Sequence, residues 1–294
     1  MMKRIIPVGT CIPGERFTKW VPALMGKGFE CFSINFHMEF HGIELEPFAD
    51  EVREILSGGE EYVASLGYYC NALQYEEHKK SLEKCIDLAH KFGTNRVTTF
   101  AGGLEGQSVD ASMPKFKEVF GELCRRAEDK GVKICIENCP MDGSWKHVTC
   151  NIGFNPRAWE MMFNEVSSPA LGLEWEPAHQ MGQLIDPIAN LRKFAPRVYH
   201  MHGKDANVKR DLIASEGIIG AQAPVDMRFP GFGEVDWRQV FTILYQNGYD
   251  SDICIEGYHD PLFSGEFEMT GQLQALNYLK WCRGGSFVPN PWDK

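Results

Sequence analysis

Short apolar runs alternate with longer amphipathic stretches along the whole chain. The runs are RIIPVG, ECFSINF, EYVASLGYY, RVTTFAG, KICIEN, ALGLEW, RVYHMH and SDICIEG, and each reads as a strand. Between them the apolar spacing becomes helical. EPFADEVREIL places Phe48, Val52 and Ile55 on one face, and HKKSLEKCIDLAHKFG repeats Leu82, Cys85, Leu88 and Ala89 before stopping at Gly93. FKEVFGELCRRAEDKG stops at Gly131 and WRQVFTILYQNG at Gly248. A glycine just past the last periodic residue ends a helix because it enters the left-handed conformation without a Cβ clash. Strands alternating with helices predict an α/β fold. Eight of them favour a (β/α)8 TIM barrel. No low-complexity segment, charge block or Pro/Ser-rich linker divides the chain, so residues 1–294 read as a single domain. The alternative is an open doubly wound sheet. That fold usually carries a Gly-rich first turn, and GTCIPGE is not a dinucleotide fingerprint.

Barrel chemistry sits at the C-terminal ends of strands. The fifth run ends in Glu137, the sixth in Glu176, the seventh in His202 and the eighth in Glu256. Side chains alternate faces along a strand. Ile134 and Ile136 therefore oppose Cys135 and Glu137. Leu171, Leu173 and Trp175 oppose Gly172, Glu174 and Glu176. Val198, His200 and His202 oppose Tyr199 and Met201, and Ile253 and Ile255 oppose Cys254 and Glu256. The large apolar set would pack on the outer helices, leaving four candidate ligands at the rim. Three carboxylates and an imidazole form a hard, oxygen-rich set that suits one divalent ion, with Mn²⁺ expected first and Mg²⁺, Co²⁺ or Zn²⁺ as alternatives. Without a cation three clustered carboxylates would repel one another. The competing reading is a set of salt bridges to Lys133, Lys204 or Arg197.

Composition narrows the partners. Forty acidic residues against thirty Lys plus Arg give a formal net charge of -10. That disfavours nucleic acid and anionic membrane surfaces, so the expected partner is a small molecule. The ten cysteines form no CxxC pair or zinc-ribbon spacing and several lie inside apolar runs. They read as reduced, buried small hydrophobes, and a cytoplasmic location follows from that reading. The segment MMKRIIPVG is too short for a signal h-region, and no apolar run approaches the roughly 20 residues of a membrane span.

At the strand-end residues the sequence resembles the xylose isomerase-like barrel superfamily, in particular its sugar phosphate isomerase/epimerase members and the ketose 3-epimerases among them. The resemblance runs through YYCNALQYEE, TFAGG, GVKICIENCPM, LGLEWEPAHQMGQLIDP, VYHMHGKDA, MRFPGFGEVDW and GYDSDICIEGYHD. It implies that Glu137, Glu176, His202 and Glu256 hold the metal and that Glu137 and Glu256 also exchange the substrate proton. It implies substrate contacts for His179, Arg228 and Lys204. One position departs: Glu176 in EPAH stands where the family usually has Asp, so a longer arm must reach the metal. His200 and Glu174 fall one layer beneath and read as a buried hydrogen-bonded pair. His37, His41 and His147 lie in or beside strand-end loops.

The chemistry so implied is proton abstraction beside a carbonyl of a neutral sugar or keto-sugar, through an enediolate stabilised by the metal. Reprotonation gives isomerisation or epimerisation. Loss of a β-substituent makes the protein a lyase, as in the inosose dehydratases and C-glycoside-cleaving members. A third reading is a non-catalytic, metal-stabilised sugar-binding subunit. The apurinic endonucleases of the superfamily need further histidines on the third and fourth strands, and GYYCN and TFAGG have none. The acidic balance also speaks against a heavily phosphorylated substrate. The long segment 206–236 is expected to act as a lid or to be a surface excursion, and the assembly is expected to be a homo-oligomer.

Overall fold

The apolar runs form the strands of a closed barrel in a computed structural model that describes residues 5–285 and 288–292. The outermost parts of the expected 1–294 domain, including Arg4 of the first run, lie outside the described residues. The strands are β1 (Val8–Pro13), β2 (Cys31–His37), β3 (Tyr62–Tyr69), β4 (Arg96–Thr99), β5 (Lys133–Glu137), β6 (Leu171–Trp175), β7 (Val198–Gly203), β8 (Asp205–Val208), β9 (Val225–Arg228) and β10 (Ile253–Ile255). All but β8 and β9 close in the order β1-β10-β7-β6-β5-β4-β3-β2, each pair parallel. This is a single-domain (β/α)8 TIM barrel. The helices are α1 (Phe17–Leu24), α2 (Leu45–Leu56), α3 (Glu76–Leu88), α4 (Val109–Lys130), α5 (Pro156–Glu165), α6 (Pro177–Gly182), α7 (Pro187–Phe194), α8 (Arg210–Glu216), α9 (Trp237–Gln246) and α10 (Glu268–Arg283). Gly93, Gly131 and Gly248, the expected helix stops, all have positive φ. Gly131 closes α4 by donating to Ala127 and Glu128 carbonyls.

Two details depart from the sequence reading. Among the described residues of the first run, Ile5 to Gly9, the strand begins only at Val8, and it runs on through Thr10, Cys11 and Ile12. Pro7 has no N–H to give to a ladder, so regular pairing starts after it. In β7 the register shifts: Val198 pairs with Leu173, and His200 pairs with Glu174. Tyr199 is the extra residue of a bulge. Val198 is thereby set with Leu173 rather than with His200, which corrects the simple alternation expected for that strand.

Most apolar residues pack in one core between the barrel wall and the helices. Cys11, Cys31, Ala64 and Cys254 form a separate small cluster. All ten cysteines are unpaired. Burial pushes Cys11 up to about 11, which keeps its thiol protonated. Among the described residues no helix is long and apolar enough to cross a membrane.

None of the residues 206–236 lines the cavity over the rim. The segment begins with the antiparallel hairpin β8–β9, in which Asp205 pairs with Arg228 and Val208 with Val225. The turn after β9 is pinned to Asp205, whose carboxylate accepts from Gly231 N, Val235 N and Trp237 Nε1. The hairpin, α8 and the residues around α6 and α7 line a hollow of their own.

Candidate metal centre

Four consecutive strands of the closed sheet, β5, β6, β7 and β10, deliver one ligand candidate each. Glu137 is the last residue of β5, and His202 lies next to the end of β7. Glu256 follows β10 and is held to β7 by its N–H, which donates to the Gly203 carbonyl at 3.2 Å. Glu176 follows β6 and caps α6, where Pro177 suits the first helical turn because it has no N–H to leave unpaired. Asn138 clamps the Glu176 backbone from both sides. Its Nδ2 donates to the Glu176 carbonyl at 2.8 Å, and its Oδ1 accepts from the Glu176 N–H at 2.8 Å.

The side chains converge. One ligand atom from each of Glu137, Glu176, His202 and Glu256 lies within 4.8 Å of the others. His202 Nδ1 is 3.1 Å from Glu137 Oε1, 3.3 Å from Glu176 Oε2 and 3.3 Å from Glu256 Oε2. A single ring nitrogen can give one proton at most, so it cannot satisfy three carboxylates. Glu176 Oε1 and Glu256 Oε2 are buried without a well-directed hydrogen bond. Lys204 Nζ, itself buried, reaches them at 3.8 Å and 3.2 Å. Surplus lone pairs aimed at one point fit a divalent cation, and the hardness of three carboxylates with one imidazole fits it chemically. The extra methylene of Glu176 does not keep its carboxylate out of this set.

The charge states follow from burial and neighbours. Burial raises Glu137. Burial also pushes Glu176 up to about 8, helped by Glu256 and Glu137 and opposed by Lys204. Glu256 is buried too, but Lys204 and His202 outweigh that and hold it well below the usual carboxylate range. Burial and then Lys204 push His179 down to about 3, so it is neutral beside Glu176, with 3.2 Å between its Nε2 and Oε1.

Beneath the rim, Glu174 and His200 are fully buried and hydrogen-bonded, with His200 Nδ1 2.7 Å from Glu174 Oε1. Glu174 Oε1 also lies 3.0 Å from His202 Nε2. Burial opposes ionisation of Glu174, but His202 and His200 overcome it and bring its carboxyl down to about 2.

A cavity of about 390 Å³ opens over the centre, a size within the range of small-molecule sites. Of the expected site residues, Glu137, His179, His202, Lys204 and Glu256 line it, as do His37 and His41. Glu176 sits with the ligands just below, fully buried. Arg228 does not line the cavity: its Nε donates to Asp260 Oδ2 at 3.0 Å. His147 is exposed and stands apart from it. The sequence reading missed Asn35, Phe36, Tyr69, Phe100, Tyr258 and His259, which also line the cavity. Tyr69 is the last residue of β3, a strand-end signal that was available. Left-handed backbone at the non-glycine residues His41, Met141 and His259 concentrates on this cavity, as strain does at functional sites.

The sequence profile described as xylose isomerase-like TIM barrel matches residues 24–282. An uncharacterized protein of Bacillus subtilis, YfiH, is 26% identical over 183 residues, which is 59% of this chain and 54% of that protein. The chain thus matches about half the length of that relative. The inosose dehydratase of Clostridium beijerinckii is 26% identical over 226 residues, covering 70% of this chain and 71% of that enzyme. Among solved structures, the apo form of the E. coli 3-keto-D-glucoside 4-epimerase YcjR superposes with a TM-score of 0.68 at 15% identity, covering 93% of this chain and 98% of that one.

Proposed function

Since this chain belongs to the xylose isomerase-like TIM barrel family, a family of sugar isomerases, epimerases and dehydratase relatives, we propose that it is a divalent-metal-dependent isomerase or epimerase of a neutral sugar or keto-sugar. The observation that carries this reading is the meeting of three carboxylates on one imidazole nitrogen at the barrel rim. Glu137, Glu176, His202 and Glu256 would hold the ion, proposed to be Mn²⁺. When bound, such an ion supplies Lewis acidity toward the carbonyl and its neighbouring hydroxyl.

The protein's own groups do the rest. Glu256, kept ionised by Lys204 and His202, takes the proton from the carbon beside the carbonyl. Glu137, raised by burial, is the carboxyl that returns a proton from the other side. Neutral His179 can hydrogen-bond a sugar hydroxyl without adding charge. Phe36, Phe100 and Tyr258 supply apolar walls that exclude water and pack on sugar C–H faces. Support for a neutral substrate comes from the cations: among the described residues of the cavity wall, Lys204 is the one Lys or Arg, and it already faces Glu176 and Glu256.

The likeness to an inosose dehydratase over 70% of the chain favours elimination as the second reading. Incubation with candidate ketoses and keto-glycosides in D₂O separates the two. Deuterium is expected on the substrate carbon with no group lost. Release of water or an aglycone would make the protein a lyase. No exchange with any sugar of the panel would contradict catalysis and leave a sugar-binding subunit.

A further inference from the structure

We propose that Glu174 is a positioning residue for the metal centre, fixing His202 with Nε2 turned into the barrel and Nδ1 presented at the rim. The proposal rests on the metal-centre reading above and adds a role for the buried layer beneath it. A histidine ligand needs one ring nitrogen free of its proton, and the hydrogen bond made by the other nitrogen decides which. Here Nε2 lies 3.0 Å from Glu174 Oε1, while Nδ1 faces Glu137, Glu176 and Glu256. A carboxylate can only accept. Carboxylates face both ring nitrogens, but a cation held by Glu137, Glu176 and Glu256 takes the place of a proton on the Nδ1 side. The one proton of the neutral ring then belongs on Nε2, toward Glu174, and the Nδ1 lone pair is left for the cation.

Glu174 is itself held from several directions. Tyr69 Oη donates to its Oε2 at 2.9 Å, and that hydroxyl accepts from Thr98 Oγ1 at 3.0 Å. His200 Nδ1 lies 2.7 Å from Oε1. The bulge at Tyr199 makes this possible, since it brings His200 rather than its neighbour into register with Glu174. The column continues downward: His200 Nε2 is 3.4 Å from Asp252 Oδ1, and Tyr62 donates to Asp252 Oδ2 at 2.9 Å.

Glu174, His200 and His202 also bring one ligand atom each within 4.8 Å of one another, a spacing that a metal of their own could use. Two observations favour positioning instead. The Glu174 oxygens already have donors, and the cavity reaches His202 but neither Glu174 nor His200.

The test titrates Mn²⁺ into chelator-treated wild type, Glu174→Gln, Glu174→Asp and Tyr69→Phe by calorimetry, with the thermal midpoint of each metal-free protein as the folding control. Glu174→Gln should weaken Mn²⁺ binding roughly 10–100-fold, with partial recovery in Glu174→Asp and a smaller loss in Tyr69→Phe. Histidine-labelled wild type loaded with diamagnetic Mg²⁺ should show the His202 proton on Nε2 by ¹⁵N NMR, a readout that stands even if Glu174→Gln fails to fold. Glu174→Gln binding Mn²⁺ as tightly as wild type, or the proton on Nδ1, would overturn the proposal. Wild type that takes up no Mn²⁺ would instead overturn the metal-centre reading, and this proposal with it.

Discussion

Replacing Glu256 by glutamine is expected to lower turnover of the sugar substrate by about 10²–10⁴-fold. Two losses combine. Glutamine cannot take a proton, so the base on one side of the reacting carbon is gone. Its amide also cannot match the carboxylate that now faces His202 at 3.3 Å and Lys204 at 3.2 Å. Both contacts fall on Oε2, so an amide oxygen could take that place, but it brings no negative charge to Lys204 or to the cation. The weakened ligand should appear separately as faster loss of the divalent ion on dialysis. Steady-state turnover at saturating metal isolates the base role from the ligand role. Turnover within tenfold of wild type under those conditions would remove Glu256 from the chemistry.

The largest expected stability loss comes from a residue outside the centre. Asp205→Ala should destabilise the protein by about 3–5 kcal/mol, a large share of the roughly 5–15 kcal/mol typical of a domain. The Asp205 carboxylate is buried and accepts from Ala206 N at 2.8 Å, Val235 N at 3.0 Å, Trp237 Nε1 at 2.9 Å and Gly231 N at 3.4 Å. Alanine leaves three backbone donors and the buried indole without a partner, and removes the pin between the β8–β9 hairpin and the start of α9. The carboxylate also packs so closely on Gly233 that a Cβ there would meet Oδ1 at 2.1 Å. Urea unfolding should show a lower midpoint with a similar slope. A change below about 1 kcal/mol would mean that water replaces the carboxylate, contrary to its buried position.

The fold was legible because a barrel repeats one rule many times. Every barrel strand was marked by apolar residues, whereas the β8–β9 hairpin outside the barrel was not, and the helix stops at Gly93, Gly131 and Gly248 are left-handed as their positions required. The centre was legible for the same reason: four strands end in acidic or imidazole residues, and period-two alternation turns them inward together. The pairing of Glu174 with His200 also followed from alternation, although Val198 did not obey it, since a bulge adds a residue that the pattern does not display. Loop-borne parts escaped. Nothing local marks Tyr258 or His259 as cavity walls. Nor does anything local mark Asn138 as the clamp on the Glu176 backbone, because its partner lies 38 residues away in sequence. The place of Arg228 outside the cavity and the path of the 206–236 segment escaped for a related reason. Their positions are set by Asp260 and Asp205, acceptors reached only through tertiary packing.

The central claim is that Glu137, Glu176, His202 and Glu256 form one divalent-cation site on which the chemistry depends. Elemental analysis of the purified wild-type protein, followed by chelation and calorimetric return of Mn²⁺ with sugar exchange monitored in parallel, tests it most directly. The expected result is about one ion per chain, loss of exchange on chelation and recovery as that one site refills. Metal-free protein that exchanges sugar protons at the undiminished rate would contradict the account.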